Sequence, residues 1–400
     1  MYCTLFKKVI IPKKLAFLPN CLLKLTTEMK SPEILDLYTD YLIASFSKVT
    51  ATGLSTMVDG ALSHDKISRF LNQPTLTDKD YWKMVKPLVR SIEIPLGILK
   101  IDDFIEEKPY TDENEIVCWH WDHSKNRSIK GMNIIHFNYS GRTNDDGTPF
   151  RLPVAWNIVK KTEQYLDKKT GKVKRRSDET KNEAVRRYLR ILCQLNKLQF
   201  EFIVWDSWFS SKENLNMVHH ELKKTFVVAL KSNRKVALSL QDKQDGKYQR
   251  VDSLDLQPNL VYTVYLPGMD FPVQLVKRFF TNKDGSQGEL YIITNDLELS
   301  YDQIVEIYHE RWSIEDSHKS LKNNVALQDS PTQKVESQSN HIFASMVALL
   351  KLEMLKFKER TNHFALKSKL YLKALQAAFQ ELQTLKKSEP KEPFLITQIC

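Results

Sequence analysis

At 400 residues the chain is too long for one small core, and at about 100–200 residues per domain it predicts two or three domains. Its 42% hydrophobic and 27% charged residues are ordinary for a globular protein, and its net charge of +10 favours a polyanionic partner. Five scattered cysteines (Cys3, Cys21, Cys118, Cys193, Cys400) argue against a disulfide framework and fit a reducing cytosol, while the absence of an apolar run of about 18 residues argues against a membrane span.

Residues 1–28 mix the pairs Lys7-Lys8 and Lys13-Lys14 with short apolar runs broken by Pro12, which reads as a poorly ordered extension rather than a signal peptide. Residues 29–94 read as a helical domain. A helix begins near Pro32 with Ile34, Leu37, Leu42 and Phe46 as its apolar positions. A second lies in LSHDKISRFLNQP, with Ser63 as N-cap and Asn72-Gln73-Pro74 as the stop, and a third runs from about Asp78 to Val89. Short helices carrying Lys66 and Arg69 fit a DNA-binding helix-turn-helix in outline, and plain three-helix packing equally well.

From 95 to 225 the pattern becomes mixed. ILKID is an apolar run ending in acid, MNIIHFNY and LPVAWNIV follow as strands, and residues 161–177 read as a basic loop containing Lys168, Lys169, Lys172, Lys174, Arg175 and Arg176. A helix is predicted over about 181–198 with Tyr188, Leu189, Leu192 and Leu195 on its apolar side, and EFIVWDSWF is a second buried strand ending in acid. Residues 226–298 form a β-rich block (FVVAL, KVALSL, VYTVYL, VQLVKRFF, ELYIIT), helices return over 299–385, and 386–400 is a tail. The cluster Trp119-His120-Trp121-Asp122-His123 has two histidines three apart but no cysteine pair to complete a zinc site, so a strand or loop near the functional site, touching DNA, is the expectation there.

Chemistry concentrates at three acids. Asp102 and Asp206 each follow an apolar strand, where a carboxylate beside a buried sheet is costly without a cation or strong donor. On a helix turning about 100° per residue, Tyr308 at zero puts Arg311 near 300°, Lys322 near 320° and Glu315 near 340°, so one face presents a phenol, two cations and a carboxylate. A solvated face with an Arg311–Glu315 pair would look the same.

Tyr308-x2-Arg311-x3-Glu315-x6-Lys322 resembles the Y-R-E-K signature of the bacterial insertion-sequence transposases of the family numbered four. Asp102, and Asp206 followed by Trp208-Phe209, resemble that family's other acidic motifs, and the resemblance spans about 95 to 350. It implies an α/β RNase H-like catalytic domain, a mixed sheet flanked by helices, interrupted by the β-rich block and preceded by the helical domain. It also implies Asp102, Asp206 and Glu315 as catalytic ligands of two Mg²⁺ ions, with Mn²⁺ as a substitute, and Tyr308, Arg311, Lys322 and Trp208 as DNA contacts. A base-stacking role for Trp208 or Trp312 competes with a place in the core. Two departures stand out: Phe104 occupies a position where family members carry Thr or Ser, and the doublet Asp102-Asp103 leaves Asp103 as an alternative first ligand.

The resemblance further implies cut-and-paste transposition on double-stranded DNA (terminal inverted repeats and a target), a homodimer in the synaptic complex, no membrane partner, and a cytoplasmic, nucleoid-associated place in a bacterium. Two alternatives stay open: a domesticated, inactive DNA-binding protein, and an RNase H-like nuclease that cuts without joining.

Overall fold

A computed structural model describes residues 31–122, 125–143, 147–168, 170–281 and 285–387. The expected extension 1–28, residues 388–400 of the tail, His123 and Lys169 lie outside the described residues.

The chain opens with four helices, α1 (Ser31–Ala44), α2 (Ala51–Met57), α3 (His64–Leu71) and α4 (Asp78–Ile92). Their ends follow from side-chain caps: Ser63 accepts from the Lys66 N–H, Asn72 closes α3, and Thr77 and Asp80 form a reciprocal capping box on α4. These helices share one apolar core with the rest of the protein. Tyr38 hydrogen-bonds His341 at 3.0 Å, and Tyr81 donates to the Pro153 carbonyl at 2.6 Å while packing edge-on against Trp156.

Next come β1 (Ile98–Glu107), β2 (Cys118–Asp122), β3 (Arg127–Thr143), β4 (Pro149–Ile158), β5 (Glu163–Leu166), β6 (Val173–Arg176), α5 (Lys181–Arg190), β7 (Phe202–Trp205), α6 (Lys212–Asn216) and β8 (Thr225–Leu230). After β9 (Lys235–Val236), α7 (Leu240–Gln244) and β10 (Gln249–Arg250) come β11 (Val261–Val264), β12 (Val273–Thr281) and β13 (Gln287–Thr294). The chain then runs through α8 (Tyr301–His309), α9 (Trp312–Asn323), α10 (Val335–Glu359) and α11 (His363–Lys387).

Nine strands form the central sheet in the order β11-β12-β13-β8-β7-β1-β3, with both β2 and β4 on the far side of β3. Strands β1, β7 and β8 run parallel, whereas β3 is antiparallel to β1. Helices cover both faces, giving the mixed, helix-flanked sheet of an RNase H-like fold. The β-rich block is no separate layer, because β13, β12 and β11 extend the sheet outward from β8. The parallel strands are buried on both sides, which is why FIVW and TFVVAL are unbroken apolar runs.

Several local expectations are corrected. Strand β1 does not stop at Asp102 but continues to Glu107, paired throughout with β3. The basic 161–177 segment is a hairpin, held by cross-strand pairs such as Arg176–Glu163 (2.6 Å) and turned at Gly171, whose φ is +64°. KVALSL provides only the two residues of β9 before the chain turns into α7. Leu195 is 76% exposed, because α5 passes into a π-helix at Ile191–Leu195 whose wider turn rotates it off the apolar side. Phe46 lies beyond α1, exposed against Tyr371.

Candidate active site

The site sits where β1 and β7 run side by side. Their parallel pairing ends at Ile101↔Trp205, so Asp102 and Asp206 are the next residues on neighbouring strands. Alternation along β1 sends successive side chains to opposite faces. Lys100, Asp102, Phe104 and Glu106 face α9: Lys100 donates to Ser313, Asp102 meets Arg311, Phe104 lies 4.3 Å from the His318 ring, and Glu106 approaches Lys322. Asp103 faces α5, where Lys181 Nζ lies 2.7 Å from its carboxylate and Asn133 Nδ2 donates at 2.9 Å.

Burial raises the Asp102 carboxyl to about 7, reinforced by the Asp206 charge and opposed by Arg311. Asp206 is also raised by burial, although its carboxylate accepts the Trp208 N–H at 2.9 Å. Two desolvated neighbouring acids favour a cation between them. Arg311 supplies one: its Nη1 lies 3.5 Å from Asp102 and its Nη2 donates to Glu315 at 2.9 Å. Glu315 is thereby tied to the site through Arg311, its side chain 44% exposed. Among the described residues no group of three His, Cys, Asp or Glu side chains stands close enough to hold a metal ion. Asp102 and Asp206 are brought together, and Glu315 is one guanidinium away.

The other expected contacts are scattered around this centre. The single helix expected to carry Tyr308, Arg311, Glu315 and Lys322 is broken, since Glu310 and Arg311 separate α8 from α9. Glu310 accounts for the break. Its carboxylate accepts from Arg151 at 3.1 Å and from Ser140 at 3.2 Å and sits 3.7 Å from Lys100, anchoring the junction to the sheet. Tyr308 is 2% exposed, packed under α8 with Val204 and Val227, and its ring lies 5.8 Å from the Arg311 guanidinium. Lys322 donates to the Ile105 carbonyl at 3.0 Å and lies over the Phe104 ring. Trp208 is 43% exposed, with Lys231 4.8 Å and Lys181 5.8 Å from its ring centre, and Trp312 is half-buried beside Arg278. Neither tryptophan is a core residue; Trp205, fully buried, is.

Sequence reasoning missed Lys100, Lys181 and Lys231. Lys100 is fully buried, donates to Ser140 at 2.5 Å and Ser313 at 2.7 Å, and is pushed down to about 7 by burial. A lysine inside the apolar run ILKID was the available signal. Lys231 follows β8 immediately, as Asp206 follows β7.

The family model described as DDE superfamily endonuclease matches residues 21–252, taking in Asp102 and Asp206. The chain belongs to this DDE superfamily. A second model, the transposase DDE domain, matches residues 159–351 and takes in Asp206 and Glu315, so the two matches overlap across β7 and β8. No curated protein matches the sequence. A DDE superfamily chain of this kind is a nucleic-acid-cleaving enzyme of the transposase type, and DNA is the substrate the family implies. Among the described residues no helix is long and apolar enough to cross a membrane.

Proposed function

We propose that this DDE enzyme is a cut-and-paste DNA transposase that cleaves at transposon ends and joins the freed 3′-hydroxyl to target DNA. The observation that carries the reading is the adjacency of Asp102 and Asp206 across β1 and β7, with Arg311 linking that pair to Glu315 on α9.

Asp102, Asp206 and Glu315 would hold divalent ions, Mg²⁺ by preference and Mn²⁺ as a substitute; two neighbouring, partly desolvated acids short of positive charge suit hard cations. Bound there, such ions lower the cost of activating the attacking oxygen and of charging the leaving one. In cleavage, the water oxygen bonds to phosphorus and the 3′ oxygen leaves with a proton, giving a 3′-hydroxyl and a 5′-phosphate. In joining, that hydroxyl bonds to a target phosphorus and displaces the target strand's own 3′ oxygen.

The protein's share is positioning and charge. Arg311, held between Asp102 and Glu315, is placed to exchange its carboxylates for a backbone phosphate, which would free Glu315 to turn inward. Lys322, fixed on the β1 backbone, offers a second phosphate contact. Trp208, braced by its N–H on Asp206 and flanked by two lysines, suits an unpaired base at the cut. Tyr308, buried beneath Arg311, acts by orienting that guanidinium rather than by reaching phosphate. Terminal inverted repeats and target duplex are the substrates, a homodimer brings the two ends together, and a bacterial nucleoid is the place of action.

The test is Mg²⁺-dependent cleavage of the element's own ends by wild type and by Glu315→Gln. Cleavage with 3′-end joining by wild type, lost by at least about 10³-fold in the variant, is the expected result. Equal cleavage by both contradicts the assignment of Glu315. The engagement of Glu315 by Arg311 favours a second reading, an inactive DNA-binding descendant, for which tight binding without cleavage by wild type is the outcome.

A further inference from the structure

Strand β2 carries a feature that the catalytic centre does not use. Trp119 and Trp121 are 55% and 52% exposed, large values for the residue type with the most apolar surface to hide. Two apart on one strand, they project from the same face, while His120 between them is buried on the other. Among the described residues β2 pairs with β3 alone, so no further strand lies along its outer edge. Trp119 lies in register with Lys130, for which no carboxylate stands within ion-pair distance among the described residues. Lys161 braces the strand from outside by donating to the Trp119 carbonyl at 2.6 Å.

The sheet fixes where this face lies. Gly131 of β3 pairs with Glu107 of β1 on one side and Cys118 of β2 on the other. Five residues along β1 from Asp102 and two strand spacings across give a separation on the order of 20 Å. The tryptophans belong to the same face of the sheet as Asp102, since Lys130 shares the parity of His136, the β3 partner of Asp102. At the roughly 3.4 Å per nucleotide of a stacked strand, about six nucleotides would connect the cut to this strand, and fewer in an extended one.

We propose that Trp119 and Trp121 form a stacking platform for unpaired nucleotides of the strand leaving the active site, with Lys130 meeting its phosphates. Side chains two apart on a strand start about 6.7 Å from each other. One flat base fits between indoles at that spacing, or two successive bases each lie on one. Aromatic residues exposed on a sheet bind single strands without sequence preference because every base has a π-face, and the nearby Lys130 supplies the charge that an apolar protein partner would not need. The inference rests on the nucleic-acid-cutting reading above but not on its chemistry.

The test is fluorescence anisotropy of the full chain, without divalent metal, on a labelled 20-nucleotide single strand and a 20-base-pair duplex of mixed sequence. The double variant Trp119→Ala/Trp121→Ala is expected to bind the single strand at least about tenfold more weakly and the duplex within about threefold of wild type. Trp119→Phe/Trp121→Phe should keep most of the single-strand affinity, and Lys130→Gln should lower the salt slope by about one ion or less. Unchanged single-strand binding, or equal loss on both DNAs, overturns the proposal. So does a variant that binds normally but changes sedimentation behaviour, since the open edge would then join copies of the chain. Wild type that grips single strands through the tryptophans yet cuts nothing in Mg²⁺ contradicts the transposase reading alone.

Discussion

Asp102 and Asp103 are neighbours in sequence with opposite surroundings. On the α5 side, Lys181 and Asn133 satisfy Asp103 directly. On the α9 side, Asp102 lies largely shielded from water beside Asp206, its carboxyl raised to about 7, and its cation, Arg311, is shared with Glu315. One acid is neutralised by the protein itself; the other is left short of positive charge. The strand's two-residue period therefore gives the doublet two environments, one acid paired by Lys181 and Asn133 and one set beside Asp206, which residue type alone could not do.

That contrast can be broken from the Asp103 side. Lys181→Met leaves the Asp103 charge unpaired close to Asp206, whose carboxyl is already raised in part by Asp103. End cleavage should fall by about 10–100-fold, the usual cost of losing a group that supports a metal ligand. In an Asp103→Asn background the same substitution should cost little, and a double-mutant cycle on cleavage rate would read that coupling. Equal losses in both backgrounds would mean that Lys181 acts elsewhere.

A smaller effect lies in stability. The Asp102 carboxyl is raised in the folded protein above its ordinary value of 3.8, so the folded state holds the proton more tightly than the unfolded chain. Its contribution is most favourable below about pH 4, declines as pH rises, and reaches its full penalty above about pH 7. Without divalent metal, Asp102→Asn should therefore melt higher than wild type at pH 8, with the gap closing toward pH 4. Millimolar Mg²⁺ at pH 8 should raise the wild-type Tm and leave Asp102→Asn nearly unmoved, since only a folded state that binds the ion gains from it. Thermal melts at the two pH values, with and without Mg²⁺, read both parts.

Much of this was legible in the sequence, for identifiable reasons. The runs ILKID and FIVW read as buried strands because parallel strands covered on both faces need unbroken apolar stretches. Ser63 and Asn72 marked α3 because capping is local chemistry. The break at Glu310-Arg311 was hidden, because Arg151, Ser140 and Lys100 come from strands far away in sequence. The β5–β6 hairpin was hidden too: half of its strand residues are charged and nearly all are exposed, so no apolar alternation marks it. Helix α2 buries only Leu54, too little for a periodic signal. The spacing of Arg311 and Glu315 placed them on one face, but only the folded chain reveals that Arg311 reaches back across the site to Asp102.

Single-turnover cleavage of a transposon-end duplex by Asp102→Asn and Asp103→Asn, run side by side in Mg²⁺ and Mn²⁺, tests the central claim most directly. Asp102→Asn should lose at least about 10³-fold in both metals, while Asp103→Asn stays within about tenfold of wild type. The reverse ranking, or equal losses, would contradict the assignment of Asp102 as the ligand and Asp103 as its structurally neutralised neighbour.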